Sequence, residues 1–555
     1  MSESRETVLR AMAEDIAAAA PRGWKRAELR GYAFASHGSG HRGFRFEPDE
    51  LNVHGANDIE VFDSLRRLHA LTGASDNLTV ELELESRGRC RAVLSERLDR
   101  ADDGGFRYLL DRDSVPPEPG DPGPGSGAPE AGDPDEAVAL LGAYLRCLGE
   151  ILGPDARPNL PPPLPERYRR KVAFGLGVRL PRDLRALYGV ADGDGGTGLL
   201  HGYSWFGLDT VAELCEPEER WWVVRGWRRY VLQPFITEFG PPLAIRRLSD
   251  HPAWVPFATD MAGNYLAADM APGPHGRSGQ VILIGRDHSD GPTYVADSVT
   301  TLLRRQVEAV TSGSFTHEDG GLWIQAGDLE YHRRVYREVC TVEAVGPDAA
   351  PVRGVRPEIR ELTVRNAPWV DLERLRGAQA LWWVSTENCP GADLSPLRDT
   401  PVEVLDLDLT TVELADLAGH PTLRRVVLHT EKPVDLRPLL SCPALFALDL
   451  TEAPEADVSV LGDAVGLRHL RTRGAHWATL RATSAVPPSL AVAELAMEPL
   501  TERKLFWSFD RAYKPRRPTL EDGVDWARGL TGNAADIWTF SGRWGRSARI
   551  DPTRR

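Results

Sequence analysis

The sequence predicts a multidomain α+β chain: two α+β sandwich domains followed by a short, irregular solenoid of leucine-bearing turns. Three observations predict it. A run of proline and glycine at 114–134 (SVPPEPGDPGPGSGAPEAGDP) interrupts the chain; proline removes a backbone donor and fixes φ, and glycine raises the cost of ordering. On both sides of that run, helix-period and strand-period apolar patterns alternate. Beyond residue 359, hydrophobic triplets recur every 21 or 22 residues. A chain of 555 residues exceeds one core, and about 100–200 residues per domain implies three or four. The boundaries that follow are a first domain at 1–113, a linker at 114–134, a second domain at 135–313, a connector at 314–358, the repeat array at 359–480 and a cap or tail at 481–555.

In the first domain, Val8, Leu9, Met12 and Ile16 lie at helical spacing. Pro21-Arg22-Gly23-Trp24 ends that helix, and aromatic residues alternate with turn residues from Gly31 to Phe46 as in a hairpin. Phe62, Leu65, Leu68 and Leu71 predict a second helix; Leu78, Val80, Leu82 and Leu84 alternate strictly, and the turn Ser86-Arg87-Gly88 returns the chain through Cys90–Leu94. The opening helix, the Pro21-x-Gly23-Trp24 step and the hairpin ending near Asp99 resemble the YezG-like antitoxin family, which implies an α+β fold that binds a secreted nuclease toxin.

In the second domain, Glu136–Ile151 has helical spacing, Pro158–Pro165 breaks the chain, and Leu180–Tyr188 is a short amphipathic helix with proline near its start. Asp192-Gly193-Asp194-Gly195-Gly196 follows. Then come Trp254-x-Pro256-Phe257-Ala258-x-Asp260, Gly263-Asn264-x-x-Ala267-x-Asp269, the strand Gly279-Gln280-Val281-Ile282, and Ala296-Asp297-Ser298 opening a last helix through Leu302. In this order, from Leu180 to Leu303, the motifs resemble the SUKH superfamily, that of the fungal cell-wall-assembly regulator and of bacterial toxin-immunity proteins. The resemblance implies a curved antiparallel sheet with helices around it, and protein binding rather than catalysis.

The array is carried by Ile359/Leu362/Val364, Leu381/Val384/Thr386, Val402/Leu405/Leu407, Leu423/Val426/Leu428, Leu445/Leu448/Leu450 and Leu467/Leu470/Thr472, with steps of 22, 21, 21, 22 and 22 residues. A second ladder follows each from Leu372/Leu375 to Val458/Leu461. This is the L-x-x-L-x-L period of a leucine-rich repeat, one strand and one return segment per turn. At the usual Asn/Cys position only Cys389 fits; Ala367, Thr410, Glu431 and Ala453 stand elsewhere, so the turns must be satisfied differently and the array is expected to be irregular. Between the core positions, Trp383, Asp406, Arg425, Asp449, His469 and Arg471 are expected to point away from the core, as binding candidates or as solvated sheet surface.

Sixty-six basic against 81 acidic residues leave a net charge of −15, which argues against a general nucleic-acid binder. The six cysteines share no C-x-x-C spacing, so neither a disulfide framework nor structural zinc is expected. The N-terminus lacks a signal-peptide pattern and no apolar run reaches about 18 residues; the chain reads as cytoplasmic and bacterial. Gly193-x-Gly195-x-x-Gly198 matches a dinucleotide fingerprint in letters, but it follows a helix, and Asp192 and Asp194 would repel phosphate. Read as a calcium loop, it places Tyr203 where glutamate is needed. His37 and His41 on a glycine loop lack a third ligand, and Arg286-Asp287-His288 reads as a turn. Trp221, Trp222 and Trp227 among Arg220, Arg225, Arg228 and Arg229 read as an insertion that packs its indoles. No cofactor and no metal are expected. The reading is a non-enzymatic protein-binding protein, an immunity protein whose acidic surface covers a basic toxin, with Asp192, Asp194, Asp260 and Asp269 as candidate contacts beside the array face. The alternative is a regulatory scaffold related to cell-wall assembly.

Overall fold

The computed structural model describes residues 3–34, 38–48, 59–75, 77–101, 104–117, 125–153, 158–318, 321–324, 339–343, 359–497, 518–532 and 536–545. His37, the middle of the 114–134 run, most of the 314–358 connector and much of 481–555 lie outside them. The chain divides into two compact units: residues 1–112 with 340–555, and residues 113–339. It is thus a chain of mixed α and β content with several sheets.

The first unit begins with the helix Arg5–Ala19, capped by Ser4, whose hydroxyl accepts the Thr7 amide at 3.2 Å. It packs with the helix Phe62–Thr72 on a five-stranded antiparallel sheet. The strand order is Ser39–Glu47, Arg26–Ala33, Leu78–Glu85, Arg89–Ser95, and finally Ile537–Arg543 from the far end of the chain. Val8, Met12, Leu65, Val80, Leu82 and Phe540 meet in its core.

The same unit holds a ten-stranded sheet. Strands Glu361–Arg365, Trp383–Cys389, Val404–Leu409, Arg425–His429, Ala447–Glu452, His469–Thr472 and Val492–Leu495 pair in parallel, each with the next. The apolar residue of each triplet faces the core, and a short return segment carries the second ladder of leucines into the same core. The returns are closed by aspartates. The Oδ1 atoms of Asp371, Asp393, Asp435 and Asp457 accept the amides of Glu373, Ser395, Arg437 and Ser459 at 2.9–3.0 Å. Each of these four acids thus satisfies one amide at the start of its return segment. Strand Phe106–Leu109 then closes the parallel run by pairing antiparallel to Val492–Leu495, with Leu98–Arg100 beyond it. Helices Gly474–Ala482 and Leu520–Thr531 bring Trp477 and Trp526 edge to face at 5.6 Å, and Trp477 donates its indole N–H to the Glu494 carbonyl at 2.9 Å.

The second unit is built on an antiparallel sheet in the order Thr293–Ala296, Gln280–Gly285, Asn264–Asp269, Trp254–Thr259 and Ser204–Trp205. The three central strands are buried along their whole length, as expected where both faces are covered. Helices Pro134–Leu152, Arg182–Leu187 and Val299–Thr311 share one core with Val255, Phe257 and Leu283. Trp222, Trp254, Tyr265 and Ile282 form a second core with Ile245. Asp183, itself buried, holds the helical side together: its Oδ2 accepts the Thr300 amide at 2.9 Å and the Thr300 hydroxyl at 3.0 Å, at the start of the helix Val299–Thr311.

Candidate partner-binding faces

In the parallel sheet, residues between the core positions line the opposite face, because successive side chains alternate. Register places Glu361, Trp383, Val404, Arg425, Ala447, His469 and Val492 in one row. The adjacent row runs from Thr363, Ser385 and Asp406 through Val427 to Asp449, Arg471, Glu494, Arg107 and Asp99. Its last five members alternate in sign, and each reaches its neighbour. Arg471 donates to Asp449 at 2.9 Å and lies 3.5 Å from the second carboxylate oxygen of Glu494. Arg107 donates to Glu494 at 2.7 Å and stands 3.8 Å from Asp99. Opposite charges directly across a strand pair are favourable, and here they also neutralise groups taken out of water.

The electrostatics follow from burial and neighbours. Burial pushes the Glu494 carboxyl up, but His469 and Arg107 outweigh it and hold the group well below the usual carboxylate range; His469 Nε2 lies 3.6 Å from its oxygen, ion-pair range rather than a hydrogen bond. Burial lowers the Arg425 guanidinium against the pull of Asp449, Glu494 and Asp406. For His429 burial works downward, and Asp406, 3.5 Å away, reverses it. Of the six residues expected on this face, Trp383, Asp406, Arg425 and Arg471 are half-buried, whereas Asp449 and His469 are buried. Asp99, Arg107 and Glu494 were missed. They lie outside the repeat and join the row through a strand pairing that spans 387 residues.

In the second unit the four candidate acids organise turns. Asp194 is wholly buried and accepts the amides of Gly196 at 2.9 Å and Leu199 at 2.8 Å. Asp192, half-buried, accepts the Leu208 amide at 2.9 Å where the helix Leu208–Cys215 begins. Asp260, half-buried, binds the Ala262 and Asn264 amides and the Asn264 side chain at 2.7–2.9 Å. Asp269 is wholly buried; burial pushes its carboxyl up to about 7, against the hydrogen bonds from Gln280 and the Ala271 amide, at 2.8 and 2.9 Å. Gly193 has φ +88°, and a Cβ there would stand 2.7 Å from the Trp205 carbonyl, so this loop demands glycine for its own packing. Arg220 is buried, paired with Asp250 and donating to the Trp254 carbonyl at 2.9 Å, and Trp222 lies on Tyr265 at 4.1 Å, while Trp221 is exposed. Asp287 accepts from Asn264 at 2.9 Å. Among the described residues no group of three metal-ligating side chains occurs, and no helix is long and apolar enough to cross a membrane.

Residues 173–305 match the SMI1/KNR4 family model (SUKH-1). The chain is similar to the cell wall biosynthesis/cell cycle regulator smi1 of Schizosaccharomyces pombe, 31% identical over 222 residues, which are 33% of this chain and 42% of that protein. It is similar to the glucan synthesis regulatory protein of Neurospora crassa, 32% identical over 184 residues, 27% of this chain and 34% of the relative. The cell wall assembly regulator SMI1 of Saccharomyces cerevisiae is 27% identical over 167 residues, 24% and 33% of the two chains. The chain spans less than half the length of these relatives. All three are fungal regulators of wall or glucan synthesis by name, which overturns the expectation of bacterial toxin immunity and of a toxin as partner. The order of motifs from Leu180 to Leu303 and the matched span coincide, and residues 173–305 are a SMI1/KNR4 (SUKH-1) domain.

Proposed function

We propose that this chain is a non-enzymatic, protein-binding regulatory scaffold that acts in the cytoplasm on cell-wall assembly. The observation that carries the reading is that relatives of its SMI1/KNR4 domain are named as regulators of wall or glucan synthesis. In this reading residues 359–480 are a leucine-rich-repeat array and residues 1–113 a YezG-like domain in fold alone. The two adjacent rows that carry Trp383 and Arg425, and Asp406 and Arg471, are the contact face. It is supported by the half-exposed, mixed-charge side chains set on a rigid sheet, where rotamers are already constrained and binding costs less entropy. Asp192 and Asp260, half-exposed at loop ends, are secondary contacts.

Tagged full-length protein should co-purify proteins of wall synthesis or its signalling from its own cells. Trp383→Ala with Asp406→Arg should reduce their recovery at least tenfold, both side chains being half-exposed. Point variants are required because deleting 359–480 would open a core shared with residues 93–108. Recovery of no wall-related protein would sink the reading.

A further inference from the structure

The helix Glu166–Gly175 in the second unit buries none of its ten residues. Helices of this length owe their stability to packing an apolar face; this one packs Val172, half-buried, on the core but leaves Phe174 with 90% of its surface exposed. Beside it lies a groove of about 830 Å³ whose floor is Val178, Leu180, Tyr188 and Leu208. Tyr188 is fixed there by donating its hydroxyl to the Phe206 carbonyl at 2.9 Å. The rim is basic. Arg169 and Arg170 stand on the helix, Arg179 on the following loop and Arg185 on the helix Arg182–Leu187, against a single carboxylate, Glu166. Arg170 is paired with Glu166 and Arg169 donates to the Leu164 carbonyl at 2.9 Å. Arg179 and Arg185 are exposed, and no described carboxylate pairs with either. A chain of net charge −15 thus concentrates unpaired positive charge around one apolar hollow.

We propose that this groove docks an acidic segment of a partner protein, with a bulky apolar side chain in the hollow and flanking carboxylates on Arg179 and Arg185. The guanidiniums come from three successive segments, so they meet carboxylates spaced along an extended chain rather than one compact anion. Guanidinium and carboxylate match as paired donors and acceptors, and Phe174 supplies the aromatic anchor that such interfaces favour. The apolar floor of Val178, Leu180 and Leu208 favours a peptide over a nucleic acid, because it calls for an aliphatic or aromatic side chain set between the charges, which a phosphate backbone does not offer.

The inference rests on the second unit being a protein-binding module, and its test is independent of the wall reading. A fluorescent peptide with leucine and phenylalanine flanked by aspartates and glutamates is titrated with the full-length protein by anisotropy. Saturable binding that weakens with added salt is expected. Arg179→Glu with Arg185→Glu should weaken it at least tenfold, and Phe174→Ser should weaken it severalfold; exposure of all three side chains makes them safe for folding, which circular dichroism checks. On the peptide side, serine for the apolar residues and lysine for the acidic ones should each abolish binding, with no change to the protein. Absence of binding at about 1 mM, where affinity is negligible, would overturn the proposal, as would equal binding by the charge-reversed variant. Displacement of the peptide by a single-stranded RNA of equal charge would overturn it too. Any of these leaves the co-purification result standing; failure to recover wall proteins while the peptide binds sinks only the wall reading.

Discussion

Glu494 and Asp269 are both buried carboxylates, yet their surroundings send them in opposite directions. Glu494 faces Arg107 and Arg471 and is held ionised; removing its charge leaves the buried Arg107 guanidinium with only Asp99, 3.8 Å away. Glu494→Gln should therefore cost about 3 kcal/mol or more in the unfolding of the first unit, measured by urea denaturation. Its depressed carboxyl contributes stability above the ordinary carboxylate value that is lost as pH falls below it. For Asp269 the sign reverses. Its carboxyl rises from 3.8 to about 7, so between those values the folded state keeps a proton that the unfolded chain has released. Its contribution to stability falls as pH rises through that window, by at most about 1.4 kcal/mol per unit. The stability difference between the native chain and Asp269→Asn should shrink from acid towards pH 7. A constant difference would refute this. Asp269 was legible in sequence as part of a motif, but its charge state was not, because burial and the Gln280 donor come from elements that meet only in the fold.

At the level of elements, the aspartates at 371, 393, 435 and 457 stand at the same place in four of the turns, the one between 393 and 435 lacking it, and bond the amide two residues on. Each is a local device at the start of a return segment. Alanine at any one should cost about 1 kcal/mol, and two distant replacements should add; thermal unfolding of the single and double variants checks this. Asp183→Ala should cost more, about 2–3 kcal/mol, because it strips the buried Thr300 amide of its acceptor, while the Thr300 hydroxyl keeps the Asp133 carbonyl at 3.1 Å. Strand and helix positions followed from apolar spacing, as in Phe62–Thr72 and in the triplets. The aspartates were equally present in the sequence at steps of 22 and 42 residues, but they fall at another position of the turn than the Asn/Cys site of a leucine-rich repeat, so that pattern does not reveal them.

At the level of the molecule, the first unit is assembled from residues 1–112 and 340–555, which the second unit separates in sequence. Strand Ile537–Arg543 completes the N-terminal sheet and buries Phe540. Phe540→Ala should cost about 3 kcal/mol and lower the transition of the first unit while leaving that of the second in place; differential scanning calorimetry distinguishes the two. The sequence by itself determined what is local: the 21- and 22-residue period, the order of motifs from Leu180 to Leu303, and the helices and strands that these periods imply. Only the tertiary structure decided that Phe106–Leu109 closes the parallel sheet, that Arg107 and Asp99 extend its charged row, and that Asp194 and Asp269 point inward. The reason is physical. Periodicity fixes which face of an element is apolar, whereas strand edges are chemically alike, and a partner hundreds of residues away is chosen by the packing of the whole unit.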